Sequence, residues 1–119
     1  MKRAPVDDPL GHIPMHPLEL QVLLVLMEGD LHGYGIAKEI EGRDTGLGKI
    51  FPTNLYRRLR DMAEKGMISE AEEREGDQRR LFSITPFGRL VARAEAERLE
   101  ALVISARRHR LLPTRSGEG

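Results

Sequence analysis

The chain has 119 residues with 19 basic and 19 acidic side chains, so its formal net charge is zero. That length predicts one domain with a modest core, and 39% hydrophobic with 32% charged residues is a globular composition. There is no Cys, which excludes disulfides and thiolate chemistry. The most apolar run, Val22 to Met27, is far too short to cross a bilayer.

The N-terminal stretch "MKRAPVDDPLGH" has no apolar core or cleavage-like site, so no signal peptide is expected and the expected compartment is the cytoplasm. Residues 1–16 hold Pro5, Pro9 and Pro14 with little periodicity and predict a flexible, irregular arm. Pro17 suits the first turn of a helix. The run that follows is apolar almost all round, from Leu18 and Leu20 through Val22 to Met27. A helix without a polar face buries more than one side, which predicts contact with its own core and with another subunit. Gly29 is placed as its C-terminal cap.

"LHGYGIAKEIEGR" predicts a second, shorter helix with Ile36, Ala37 and Ile40 on one face and Gly42 at its end. The Gly-rich connection "DTGLGKIF" superficially resembles a phosphate loop. Arg43 stands where such a loop needs Gly, and Ile50 where it needs Ser or Thr. Nucleotide hydrolysis is therefore rejected.

"PTNLYRRLRDMAEKGMI" predicts a third helix opening at Pro52, with Phe51 extended before the proline. Leu55, Leu59, Met62 and Ala63 share one face, with Tyr56 at its edge. Thr53, Arg57, Arg60, Asp61 and Glu64 point the other way, and Asn54 and Arg58 lie on the flanks. Gly66 ends the helix. Ile68 begins a strand, "REGDQ" is turn chemistry, and "LFSI" makes a return strand with Phe82 and Ile84 inward. From Thr85 or Pro86 to about Leu112 the pattern is a long amphipathic helix carrying Leu90, Leu99, Leu102, Val103 and Ala106. About 25 residues would extend about 37 Å, which overhangs a domain of this size. A partner subunit is the simplest cover for its stripe. Residues 113–119 read as a frayed tail.

Charge is segregated along this order. Residues 17–42 carry five acids against Lys38, whereas residues 49–60 carry Lys49, Arg57, Arg58 and Arg60 with no acid. Three helices followed by a β-ribbon is the winged helix-turn-helix plan, in which the last helix before the ribbon enters the major groove of DNA. The predicted fold is thus mainly α with a two-stranded β wing. Residues 17–85 form the DNA-binding part and residues 86–112 a dimerisation helix.

"HGYGIAKEI", "PTNLYRRLRDMAEKGMI" and "RRLFSITPFGRLV", in that order, resemble the PadR family of bacterial transcriptional regulators over about residues 17–105. Phe82 stands where that family often has Tyr, and the short C-terminal region resembles its compact members with a single dimerisation helix. The resemblance implies a homodimer on a pseudo-palindromic operator, repression, no cofactor and no enzymatic activity. Some members release DNA on binding small phenolic or drug-like molecules at the dimer interface. With no Trp and three Phe, composition does not support an aromatic slot there. The expected DNA contacts are Tyr34, Lys38, Lys49, Thr53, Asn54, Tyr56, Arg57, Arg58, Arg60, Arg79 and Arg80, with Arg58 assigned to phosphate rather than to bases. The expected dimer contacts are Leu20, Leu24, Leu90, Leu99, Leu102, Val103 and Ala106. Helix capping competes for Thr53 and Asn54, core packing for Tyr56, pairing with Asp61 and Glu64 for Arg57 and Arg60, and cross-strand pairing with Glu70, Glu72 or Glu73 for Arg79 and Arg80. His12 and His16 are spaced like half a metal site, but Pro14 intervenes and no third ligand is evident, so no metal is expected. A winged helix used only to bind proteins is the alternative reading.

Overall fold

The computed structural model describes residues 8–43, 45–72 and 80–113. In chain order these form α1 (Pro17–Leu26), β1 (Leu31–His32), α2 (Gly33–Glu41), α3 (Pro52–Glu64), β2 (Ile68–Glu72), β3 (Arg80–Ile84) and α4 (Pro86–Arg108). The architecture is mainly helical with a small antiparallel sheet in the order β1-β3-β2. Ile68 pairs with Ile84 in the ribbon, and Leu31 pairs with Phe82 on the other edge. The third strand, β1, was not anticipated; two residues are too few to show alternation. The predicted turn "REGDQ" and Arg79 lie outside the described residues.

The core forms where the four helices and the sheet meet. Val22, Leu23, Ile36, Ile40, Leu55, Leu59, Met62 and Val91 are all buried. Phe82 is buried from the sheet side and Ile84 packs partly against the core, as the alternation predicted. In α1 the side chain of His16 caps the start by accepting from the Leu18 N–H at 3.0 Å. The helix stops at Leu26, three residues before Gly29. The N–H groups of Glu28 and Gly29 then bond to the carbonyls of Val25 and Leu26, a tightened last turn, and Gly29 (φ +150°) follows it. The apolar residues of α1 divide. Leu18, Val22, Leu23, Val25 and Leu26 are buried, Leu20 packs partly against the core, and Leu24 and Met27 are exposed.

The end of α3 is a Schellman motif. The Gly66 N–H bonds to Ala63 O and the Met67 N–H to Met62 O, with Gly66 left-handed at φ +82°. This turn is clasped to the start of α4. The Thr85 hydroxyl donates toward Gly66 O (2.6 Å) and Met67 O (3.0 Å) and accepts from the Gly88 N–H (2.9 Å). Gly88 is pressed so close that a Cβ there would lie 2.1 Å from Met67 O. The sequence pieces Gly-Met-Ile and Thr-x-x-Gly, far apart in the chain, are thus two halves of one joint.

The arm departs from expectation. From Asp8 onward it is ordered against α4, beginning with a 3-10 turn at Pro9–His12 capped by Asp8. His12 stacks edge-on against Phe87 with ring centroids 5.2 Å apart. Met15 is buried, and its N–H donates to Glu95 Oε2 at 3.1 Å. Glu95, only 2% exposed, also takes two bonds from Arg98, at 2.7 and 2.8 Å. A buried carboxylate persists only when paired and hydrogen-bonded, and here both conditions hold. No local sequence pattern announces a contact spanning 80 residues.

The Arg98 hydrogen bonds, reinforced by the Met15 N–H, outweigh burial and hold the Glu95 carboxyl below the usual carboxylate range. A depressed folded-state pKa stabilises the fold above the unfolded value of about 4.3 and is lost as pH falls through the folded value. Glu95→Gln is therefore expected to cost about 1–3 kcal/mol at pH 7. It should also flatten the loss of stability below about pH 4.3, measured by urea unfolding at a series of pH values.

Beyond the clasp α4 runs 23 residues, about 35 Å, and ends at Arg108 rather than near Leu112. Its first half covers the core through Val91 and Ala92. Along the rest, Leu102, Val103 and Ile104 are exposed, as is Leu90 nearer the start; Leu99 and Ala106 are half-buried. No helix among the described residues is long and apolar enough to cross a membrane.

Candidate nucleic-acid interface

The α3 helix sorts its side chains as the periodicity predicted. Leu55, Leu59 and Met62 are buried, and Thr53, Asn54, Arg57 and Arg60 are exposed. Phe51 precedes it in extended conformation and supplies no side-chain cap; Pro52 opens the helix and no acid lies in the first turn. No side-chain cap and no carboxylate of the first turn thus competes for its N–H groups, an arrangement that suits an anion.

The arginines of α3 have different surroundings. Asp61, the i+4 partner open to Arg57, pairs instead with Lys65 at 3.1 Å. Among the described residues neither Arg57 nor Arg60 is ion-paired. Arg57 donates to Asn54 Oδ1, so Asn54 is occupied by a neighbour rather than by capping. Arg58 departs from the expected contact set. It reaches back to Glu19 on α1 at 3.1 Å, both side chains are mostly covered, and its Nε is buried without a partner. The flank position that suggested a phosphate contact points it into the α1–α3 seam. Periodicity alone could not have found Glu19, which lies 39 residues earlier.

Beside α3 an open cleft of about 510 Å³ separates the start of α2 from the ribbon, lined by His32, Tyr34, Tyr56, Arg60, Glu70 and Arg80. The Tyr56 ring lies against Gly33, where a Cβ would come within 2.5 Å of it, so the Gly of His-Gly-Tyr is the seat of this ring. Tyr56 remains 45% exposed, between packing and the surface, and Tyr34 is exposed. Lys38 Nζ sits 5.7 Å from the Tyr34 ring centroid, within cation–π range. His32 holds the ribbon's edge, with Nδ1 3.2 Å from the carbonyl oxygen of Arg80. The Arg80 guanidinium is paired across the ribbon with Glu70 at 2.8 Å, the cross-strand pairing weighed from sequence. Glu73 and Arg79 lie outside the described residues.

The loop before α3 presents Lys49 on an exposed surface. The Ile50 N–H bonds to Glu41 Oε2 at 2.8 Å, and Gly46 and Gly48 are left-handed at φ +78° and +72°. The loop is thus tied to the end of α2 next to the first turn of α3. Tyr34, Arg60 and Arg80 line the cleft, with Lys38 beside Tyr34, and Lys49, Thr53, Asn54 and Arg57 lie at or just before the start of α3. Of the expected dimer contacts, Leu24, Leu90, Leu102 and Val103 are exposed, whereas Leu20, Leu99 and Ala106 are half-buried within the single chain. His16 is used as a helix cap, and among the described residues no group of three His, Cys, Asp or Glu side chains is placed to hold a metal.

Residues 22–94 match the model of the transcriptional regulator PadR-like family. Among solved structures, a transcriptional regulator from Clostridium thermocellum is 26% identical with a TM-score of 0.69, covering 83% of this chain and 90% of that one. A PadR family transcription regulator from Clostridium difficile is 18% identical with a TM-score of 0.65, covering 79% and 98%. Bacillus subtilis PadR in complex with operator DNA is 19% identical with a TM-score of 0.58, covering 71% and 47%. No curated protein sequence matches the chain.

Proposed function

The chain belongs to the PadR-like family of transcriptional regulators, and from that premise we propose that it binds a specific double-stranded operator as a homodimer and represses transcription by occupying it. One observation carries the reading: α3 buries Leu55, Leu59 and Met62 and turns Arg57 and Arg60 outward without ion-pair partners among the described residues. Arginine forks match guanine edges and phosphates, and unpaired forks are free to do so. Tyr34, Lys38, Lys49, Thr53 and Tyr56 are the supporting contacts, directed mainly at the backbone, which sets register. Arg79 completes the ribbon's set by sequence alone. Arg58 is assigned instead to the α1–α3 seam. The protein acts in the cytoplasm, without cofactor, metal or catalytic role.

Selection of bound fragments from the host genome tests the DNA reading directly and names the targets. Binding to the selected site should weaken steeply with salt as phosphate contacts release counterions. If no duplex is enriched above background at low salt, the interaction-module reading replaces this one.

Glu70 sets a counter-charge inside the interface by holding Arg80. Glu70→Gln is expected to free that guanidinium, tighten DNA binding severalfold and steepen the log–log salt slope by about 0.9 for each added phosphate contact. Unchanged affinity and slope would show that Arg80 stays off the DNA.

The exposed Leu102 and Val103 on α4 support the dimer: with the half-buried Leu99 and Ala106 they recur at i, i+3 and i+4 along one helix face, and an exposed apolar face marks an interaction site. Sedimentation at micromolar concentration should give twice the 13.4 kDa chain mass, and Leu102→Glu with Val103→Glu should return it to the monomer. A wild-type monomer under those conditions sinks the dimer.

A further inference from the structure

Resting on the DNA-binding reading above, we propose that Asn54 and Arg57 form one base-reading unit, in which Arg57 reads a guanine and Asn54 positions its guanidinium. The Arg57 NH2 group donates to Asn54 Oδ1 at 2.5 Å. The two residues are three apart in the first turns of α3, where side chains at i and i+3 are neighbours. The direction of this bond is fixed by chemistry, because a guanidinium only donates. Asn54 must therefore turn its oxygen, not its amino group, toward Arg57.

The bond leaves the reading edge intact. A guanidinium offers two paired forks, NH1 with NH2 and Nε with NH2, each using one of the two NH2 hydrogens. Asn54 accepts one of them, so one complete fork stays open. Such a fork matches O6 and N7 of guanine, the commonest specific contact in the major groove. Holding a long side chain before the DNA arrives also removes ordering cost from the binding step.

The identity of the holder matters as much as its position. Arg43, Arg58, Arg80 and Arg98 are each held by a carboxylate, which would compete with an acceptor edge for the cation. Arg57 is held by a neutral amide, and Asp61 is engaged with Lys65. Arg57 is thus both oriented and uncompensated.

The experiment compares full-length wild type, Arg57→Ala, Asn54→Ala and Asn54→Asp by selection from a randomised duplex pool, with thermal unfolding as the folding control. Arg57→Ala should erase the guanine preference at one position of each half-site. Asn54→Ala should weaken that same preference by about tenfold or more and leave the other positions unchanged. Asn54→Asp, which keeps an acceptor for NH2 but makes it a competing carboxylate, should lower total affinity and weaken the preference less than Asn54→Ala does. An Asn54→Ala protein with its guanine preference intact, or altered at a different position, overturns the proposal. A wild type that selects a site with no guanine at the position lost in Arg57→Ala overturns it while sparing the DNA-binding reading. A wild type that enriches no sequence removes both.

Discussion

Arg57→Ala combined with Arg60→Ala is expected to lower affinity for the selected operator by about 10²–10⁴-fold, since each bidentate arginine contact carries about 1–3 kcal/mol of discrimination. Binding to unrelated duplex should fall much less, because Lys38 and Lys49 remain, and the ratio of specific to non-specific affinity should collapse. Both side chains are exposed, and substitutions away from structural features usually change stability by no more than about 0.5 kcal/mol. Melting behaviour should therefore match wild type, so lost binding cannot be ascribed to unfolding. Titration of labelled operator and scrambled duplex at fixed salt measures the ratio. A double variant within threefold of wild type on the operator would mean that α3 is not the reading element.

Among the described glycines, Gly88→Ala should be the most damaging, costing about 3 kcal/mol or more. A Cβ at that position would lie 2.1 Å from Met67 O and 3.0 Å from Met67 C, both backbone atoms that cannot rotate aside. Overpacking of this kind typically costs about 1–3 kcal/mol. Here the shift must also pull away the Thr85 hydroxyl, whose single proton is shared between two carbonyls, a bond contributing about 1 kcal/mol. Gly66→Ala is the instructive contrast. Nothing lies within 4 Å of a Cβ there, so only the left-handed φ of +82° is penalised, at about 1–2 kcal/mol. Chemical denaturation of the two variants side by side separates them. A Gly88→Ala protein within 1 kcal/mol of wild type would show that the start of α4 yields easily.

The parts of the fold that follow from local periodicity could be read from the residues. The Leu55, Leu59 and Met62 face, the alternation of Phe82 and Ile84, and the stop at Gly66 are each set by near neighbours in the chain. The parts that were missed depend on partners distant in sequence. Met15 is buried because Glu95 waits for its N–H. Arg58 is withdrawn from the surface because Glu19 lies across the seam. The pairing of β1 needs β3 to exist first. A two-residue strand, a proline-rich docking segment and an interhelical ion pair carry no periodic signature, so one-dimensional patterns pass over them. The outward face of α3 was legible in outline for the same reason: its exposed residues are the complement of a periodic core face. Their individual assignments were not, because Arg57, Arg58 and Arg60 differ by what each touches rather than by where each falls in the repeat.

The joint between Thr85, Gly66, Met67 and Gly88 gives the molecule a lever. It fixes the base of a rod about 35 Å long, at about 1.5 Å per residue, to the end of the helix that carries Arg57 and Arg60. A tilt of about 5° at that base would swing the far tip by about 3 Å over this length. In the proposed dimer, whatever sets the angle between the two rods at their tips would also set the separation of the two arginine faces. Stiffness at one small hinge would then convert the geometry of subunit pairing into the length of DNA that the pair can span.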